Sequence, residues 1–264
     1  MPAPDLGPPA SFPHRERPLS VHLLPGLVAQ SSLAGSIVIM IDALRASVTI
    51  AAALASGARA VYPVLTVDDA LVAAEKMIHS GIPKEDIILG GERGGVLIPG
   101  FDLDNSPLAY TADRVRDKAV VFTTANGTST LLHAREASIV LVGALTNVDA
   151  VCRAVATDPR DVHIICSGTR GEISLDDCIA AGAMVDRLRD AGRELGSDDS
   201  GQVCLRNWHE AARTGILDAM RVSRGGRNLV KLGFEADIEF CSRVDGVPVL
   251  PRYDAQSGTI TLVE

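Results

Sequence analysis

The chain has 264 residues, of which 47% are hydrophobic and 22% charged, the composition of an ordinary globular protein rather than a disordered or fibrous one. Only 3% are aromatic, so the core must be built from Ala, Val, Leu and Ile, which suits buried parallel strands covered by helices and argues against a β-sandwich or a base-stacking module. The formal net charge of -8 is a poor match to nucleic acid or an anionic membrane, and an anionic substrate would need positive charge gathered locally by Arg side chains or a divalent metal.

Met1 to Pro18 holds six prolines and lacks the apolar core of a secretory signal; it reads as a disordered tail, with residues 19–264 as a single α/β domain. From there, strand-length apolar runs alternate with helical patterns. Val21–Leu24 and Ile37–Ile41 are predicted strands, followed by an Ala-rich helix over Ala46–Ser56 that Gly57 stops. Ala60–Val64 is a strand, Val67–His79 a helix closed by Gly81 and Pro83, and Ile87–Leu89 and Val120–Thr123 are strands. Helix Ser129–Arg135, strand Ile139–Val142, helix Val148–Thr157, strand Val162–Cys166 and helix Leu175–Ala191 continue the pattern, the last closed by Gly192.

Beyond Gly192 the periodicity weakens. Arg193–Gly201 reads as a surface linker, and polar helical segments occupy about 200–232. Asp237–Cys241, Val247–Leu250 and Thr259–Val263 are predicted as short edge or hairpin strands, with turns at Gly246 and Ser257-Gly258. The fold class is therefore α/β, a largely parallel sheet flanked by helices, with short C-terminal strands.

The five cysteines, Cys152, Cys166, Cys178, Cys204 and Cys241, are odd in number and form no C-x-x-C pair, which speaks against a disulfide framework or a structural zinc. Ser36–Ala55 is long enough for a membrane helix, but Asp42 and Arg45 stand in its middle, where each would cost about 2.5–3.5 kcal/mol. A cytoplasmic protein with no membrane partner is expected; its oligomeric state is left open.

Three places run from an apolar strand through a small or polar cluster into a helix: Ile37–Ile41 with Asp42-Ala-Leu-Arg45, Val120–Thr123 with Thr124-Ala-Asn126-Gly-Thr128, and Val162–Cys166 with Ser167-Gly-Thr-Arg170. In a parallel sheet, strand ends and helix N-termini gather on one edge, so the three should meet in one crevice. Free N–H groups and hydroxyls at such places hold phosphate-like anions, and Arg45 could pair with one bidentately. The plainer reading is that Asp42 and Thr123 to Thr128 only cap helices.

Gly90-Gly-Glu-Arg-Gly-Gly95 sets Glu92 and Arg93 between glycine pairs, where backbone can approach a ligand. It leads into Gly100-Phe-Asp-Leu-Asp-Asn-Ser-Pro107, a long loop whose Phe101 and Leu103 argue for docking. Ser174-Leu-Asp-Asp177 has the form of a capping box, leaving Asp176 as the freer carboxylate. Asp42, Glu92, Asp102, Asp104 and Asp176 are thus hard oxygen donors of the sort magnesium takes alongside substrate phosphate and water. His163, within a strand, reads as a packing histidine.

Several chemistries are excluded. Leu44 stands where a haloacid dehalogenase-type phosphatase needs its second Asp, and Glu172 where a cysteine-dependent phosphatase needs its Arg. Arg213 replaces the second His of a zincin helix, and no P-loop is present.

In order, Ile41-Asp-Ala-Leu-Arg-Ala-Ser47, the Gly90–Gly95 and Gly100–Pro107 stretches, Thr123-Thr-Ala-Asn-Gly-Thr128, Cys166-Ser-Gly168 and Ser174-Leu-Asp-Asp177 resemble the 2-phosphosulfolactate phosphatase family of coenzyme M biosynthesis, over about residues 21–249. The resemblance implies that family's own α/β fold and a magnesium-dependent phosphatase that takes a small anionic phosphorylated substrate, converting (R)-2-phospho-3-sulfolactate to 3-sulfolactate. The rival readings are a non-catalytic anion-binding or regulatory protein on the same scaffold and a phosphatase for another 2-phospho acid. The chain departs from the family pattern at Asp104, where Gly is usual, at Asp176, where Glu is usual, and at Ala125, where Thr or Arg is usual.

The site expected on these grounds has Asp42, Arg45, Cys166 and Asp176 as catalytic residues. Asp42 is the first choice of nucleophile because it ends a buried strand; Cys166 and a metal-bound water are its rivals. Mg2+ is expected among Asp42, Glu92, Asp102 and Asp176. Substrate is expected on Arg93, Asn105, Ser106, Thr124, Asn126, Gly127, Thr128, Gly168 and Ser174, its phosphate on the donors from Thr124 to Thr128.

Overall fold

The computed structural model describes residues 18–263. Its elements in chain order are β1 (Pro18–His22), β2 (Ile37–Ile41), α1 (Ala46–Ala55), β3 (Ala60–Pro63), α2 (Val67–His79), β4 (Ile87–Arg93), β5 (Val96–Leu97), α3 (Ala112–Val115) and β6 (Ala119–Thr123). They continue with α4 (Gly127–His133), β7 (Ile139–Gly143), α5 (Val148–Val155), β8 (Val162–Cys166), α6 (Leu175–Asp190) and β9 (Glu194–Leu195). Four helices, α7 (Ser200–Thr214), α8 (Ile216–Arg221), α9 (Arg224–Leu232) and α10 (Glu235–Cys241), precede the hairpin β10 (Pro251–Asp254) and β11 (Thr259–Leu262).

The strands form one sheet in the order β5-β4-β6-β3-β11-β10-β7-β2-β8-β1-β9. It consists of two parallel blocks. In one, β9, β1, β8, β2 and β7 run together; in the other, β3, β6 and β4 do. The C-terminal hairpin joins them by antiparallel ladders, Val140 to Tyr253, Tyr253 to Ile260 and Ile260 to Val61, so the second block runs opposite to the first. Five strand pairs separate β2 from β6, and at roughly 20–25° of twist per pair the rotation accumulates to on the order of 100–125°. That rotation turns the end of β6 back toward the end of β2.

The wrapped sheet encloses α1. Nine of its ten residues are buried, Ala46 to Leu54, and its Ile50, Ala53 and Leu54 share a core with Met40 of β2, Val61 of β3, Phe122 of β6 and Ile260 of β11. A helix covered on every side has no use for a polar stripe, and small Ala side chains let both blocks approach it. On the opposite face of the first block, α5 and α6 carry a second core that extends into the helical excursion through Cys204, Leu205, Met220, Leu229 and Ile238. A smaller cluster sits between α2 and the second block, around Ala70, Ile87, Phe101 and Val121.

Two predicted strands are not strands. Asp237–Cys241 is helix α10, which begins at Glu235; its alternation of polar and apolar residues fits either period over so few positions. Val247–Leu250 is irregular, and the strand starts at Pro251. The terminal hairpin is not at an edge but in the middle of the sheet. The expected linker Arg193–Gly201 contains β9, which pairs with β1, and the buried Arg193. Of the expected tail, residues 1–17 lie outside the described residues, and Pro18 belongs to β1. The apolar stretch Ser36–Ala55 is divided between β2 and α1, and among the described residues no helix is long and apolar enough to cross a membrane.

Candidate active site

The ends of β2 and β6 meet at Asp42. Its Oδ1 accepts from Ala46 N at 3.3 Å, and the N–H of Gly127 also donates to its carboxylate, so the first turns of α1 and α4 converge on one side chain. An ideal Cβ on Gly127 would lie 2.8 Å from Asp42 Oδ2 and 2.9 Å from Ala46 Cβ; glycine is what lets the two helix ends close. Asp42 is held up to about 7 because it is buried, the N–H donors oppose the rise, and the charges of Asp176 and Glu92 add to it.

Asp42 lines a cleft of about 300 Å³, within the size range of small-ligand sites. One wall comes from the strand-end loops, through Arg45, Glu92, Asn105 and Asn126. The other comes from α9, through Arg224, Gly225, Arg227, Asn228 and Lys231, and Arg170 stands between them. Five cations thus surround a cleft on a chain of net charge -8.

Two of these cations are already compensated. Arg45, 2% exposed, gives Nη1 to Asp237 Oδ2 at 2.5 Å and Nη2 to Gly95 O at 2.8 Å, with its guanidinium 4.6 Å above the ring of Phe234. Asp237 Oδ1 in turn accepts from Ser106 Oγ at 2.7 Å. Arg224 pairs with Glu172. Arg170, Arg227 and Lys231 make no ion pair among the described residues.

Glu92 ties the cleft's loops together, with Oε2 accepting from Gly95 N at 2.7 Å and Oε1 from Ala125 N at 2.8 Å. Asn126 Oδ1 accepts from Arg170 N at 3.0 Å. Asn105, 4% exposed, has an Oδ1 with no hydrogen-bond partner although it lines the cleft. A buried acceptor left open in this way suits a ligand donor or a cation.

Asp176 and Asp177 support the floor. Asp176 accepts from Ser174 Oγ at 2.6 Å and from the side chain of Ser223, the N-cap of α9. Burial raises its carboxyl above the usual range, against those two hydrogen bonds. Asp177 bridges the ends of β2 and β8, accepting from Ala43 N and Gly168 N, both at 2.8 Å. The capping box expected at Ser174 is therefore not made: Ser174 Oγ turns to Asp176, and Asp177 crosses to another strand. Nor is Asp176 the freer carboxylate, being 2% exposed and hydrogen-bonded.

Other expected positions lie apart from the cleft. Arg93 faces away, donating to Leu65 O, Thr123 Oγ1 and Glu92 O at 2.7–3.0 Å. Asp102 is exposed and accepts from Leu89 N. Thr124 and Thr128 bond each other reciprocally, and Ala125 N serves Glu92, so the phosphate cradle expected from Thr124 to Thr128 is largely occupied by internal bonds. Gly168 N is committed to Asp177 and Ser106 Oγ to Asp237. Cys166 is 0% exposed and does not line the cleft, so it is out of reach of a substrate there; hydrogen bonds to Cys178 and Cys204, then burial, push its thiol well above the usual range. His163 packs as expected, stacked on His22.

The main contribution missed in the sequence is α9. Arg224, Arg227, Asn228 and Lys231 are spaced i, i+3, i+4, i+7, one face of a helix, and that spacing was a readable signal. Asp237, the counter-ion of Arg45, was hidden by the strand assignment.

A buried carboxylate at two converging helix ends, beneath a wall of Arg and Lys, defines an α/β protein with a cleft suited to a small anion. The chain belongs to the 2-phosphosulpholactate phosphatase family, whose model matches residues 22–256. It is 38% identical over 232 residues to a protein of Symbiobacterium thermophilum named "Probable 2-phosphosulfolactate phosphatase", covering 88% of this chain and 96% of the relative. Relatives of the same name are 36% identical in Clostridium beijerinckii, over 89% of this chain and 94% of theirs, and 39% identical in Gloeobacter violaceus, over 82% and 88%.

Proposed function

We propose that the protein hydrolyses the phosphomonoester of a small 2-hydroxy acid, (R)-2-phospho-3-sulfolactate, to 3-sulfolactate and inorganic phosphate, and so serves coenzyme M biosynthesis. The observation that carries this reading is the position of Asp42, at the meeting point of α1 and α4 on the floor of a cationic cleft. In the first step a carboxylate oxygen of Asp42 bonds to phosphorus while the ester P–O bond breaks, and the departing alkoxide takes a proton from water. A second water then attacks the aspartyl-phosphate, releasing inorganic phosphate and restoring the carboxylate.

The chain's own residues do the positioning. The cations around the cleft offset the charge of the phosphoryl oxygens, and Glu92 holds the two loops beside Asp42 at a fixed spacing. Asp42 and Asp176 fit Mg2+ in donor chemistry: both are buried carboxylates that make no ion pair among the described residues. No group of three or more His, Cys, Asp or Glu side chains is gathered for a metal among those residues, but magnesium commonly takes one or two carboxylates together with substrate phosphate. Held there, with Asn105 Oδ1 as a further oxygen donor, it would supply neutralisation of the phosphoryl oxygens. The five buried, unpaired cysteines support a cytoplasmic setting.

Phosphate release from a panel of 2-phospho acids, measured across a magnesium titration, tests the proposal. Release from phosphosulfolactate that Asp42→Asn abolishes is the expected result. No release from any member at any magnesium concentration would overturn the phosphatase reading in favour of an anion-binding protein.

A further inference from the structure

Beyond Ile41 the ladder that holds β2 to β7 and β8 ends, yet the chain stays buried, with Asp42 at 7% and Ala43 at 1% exposure. A buried main-chain N–H without an acceptor is costly, and both of these find theirs on side chains. Asp42 N donates to Ser47 Oγ at 2.9 Å, and Ala43 N donates to Asp177 Oδ1 at 2.8 Å. Ser47 belongs to α1 on one face of the sheet and Asp177 to α6 on the other. The residue that brings its carboxylate to the cleft is thus gripped from both faces.

The residue types fit this role. Ser47 holds Asp42 twice, because its N also donates to Asp42 O at 3.0 Å. Its own hydroxyl hydrogen goes to Met40 Sδ at 3.6 Å, which leaves Oγ to act as an acceptor. Asp177 turns its second oxygen to Gly168 N at 2.8 Å and so ties the end of β8 to that of β2. Two backbone donors on one planar group call for two acceptor oxygens, which a carboxylate has and an amide or a hydroxyl has not. The choice is a costly one for a tie alone, since Asp177 is 2% exposed, makes no ion pair among the described residues, and has its carboxyl raised by burial and then by Asp176 and Asp42. Neither Ser47 nor Asp177 lines the cleft.

We propose that Ser47 and Asp177 are positioning residues for phosphoryl transfer: they fix the main chain on both sides of the Asp42 Cα, and so hold its carboxylate at one place and angle on the floor of the cleft. This inference rests on the phosphatase reading for its kinetic consequence, and amide exchange reads the clamp without it.

Ser47→Ala, Asp177→Asn and Asp177→Ala are compared with wild type in kcat and KM for phosphosulfolactate and in amide exchange followed by NMR. Val151→Ala, a truncation in the core at α5, is the control that lowers Tm and leaves kcat and KM unchanged. A reacting group displaced by a distant change loses up to about 100-fold in rate. The expected fall in kcat is about 10-fold for Ser47→Ala and Asp177→Asn, which each remove one acceptor, and about 100-fold for Asp177→Ala, which removes two. KM stays within about threefold, because the cations of the cleft are untouched. The Asp42 amide of Ser47→Ala and the Ala43 and Gly168 amides of Asp177→Ala lose protection, while those of β7 keep it. The two milder variants decide the matter where Asp177→Ala does not fold. Unchanged kcat in both, a fall no larger than that of Val151→Ala, or unchanged exchange overturns the proposal. If wild type hydrolyses no ester while exchange at Asp42 and Ala43 still depends on Ser47 and Asp177, the phosphatase reading fails and the clamp stands.

Discussion

Asp237 Oδ2 lies 2.5 Å from Nη1 of Arg45, a residue 192 positions earlier in the chain, and both side chains are 2% exposed. This pair connects the start of α1 to α10, and through Ser106 to the loop between β5 and α3. Breaking a buried pair by removing one partner costs roughly 3–5 kcal/mol, because the remaining charge is left unpaired. Asp237→Ala is therefore expected to lower stability by that amount in denaturant unfolding, with Asp237→Asn clearly milder because it can still accept from Arg45. Equal stability of Asp237→Ala and wild type would show that the pair contributes nothing.

Gly127→Ala places a methyl group 2.8 Å from Asp42 Oδ2 and 2.9 Å from Ala46 Cβ. Neither neighbour is the flexible end of a long side chain, so α1 and α4 must move apart, at a cost of roughly 1–3 kcal/mol. The expected outcome is a large fall in kcat with a lower Tm. Gly26→Ala, where nothing lies within 4 Å, is the control and keeps both.

The raised carboxyl of Asp42 predicts how stability changes with pH in chelator. Its folded-state value of about 7 lies above its ordinary 3.8, so the folded protein binds this proton more tightly than the unfolded chain. The resulting stabilisation is full below about 3.8 and is lost as pH rises through 7. Asn carries no such proton. The difference in Tm between Asp42→Asn and wild type should therefore shift in favour of the variant from pH 5 to pH 8 and level off above that. A difference that is flat with pH would remove Asp42 as the titrating group.

Arg93→Lys should leave the Michaelis constant for the phospho acid within about twofold, since the guanidinium serves Leu65 O, Thr123 Oγ1 and Glu92 O and not the cleft. An ammonium cannot reproduce that planar fork, so the loss appears as a Tm lower by roughly 2–4 °C for each kcal/mol. A tenfold rise in the constant at unchanged Tm would return Arg93 to the substrate.

The parts of this protein that depend on near neighbours in the chain were legible from its sequence. Continuous apolar runs gave β2 and β8 to the residue, and the apolar period with its stop signals gave α2; the motif at Asp42-Ala-Leu-Arg45 marked where the chemistry lies. What each polar side chain does was decided by tertiary structure, because a hydrogen-bond partner is chosen by distance in space. Glu92 and Arg93 are adjacent in sequence, yet Glu92 turns to the cleft loops and Arg93 to Leu65 and Thr123. Asp237 acquires its role only when α10 docks on α1, and α9 becomes a wall of the cleft only when Ser223 meets Asp176. The reversal between the two parallel blocks has the same origin: a hairpin of two four-residue strands, read locally as edge or hairpin strands, pairs on both sides, and the twist accumulated across it brings the ends of β2 and β6 together.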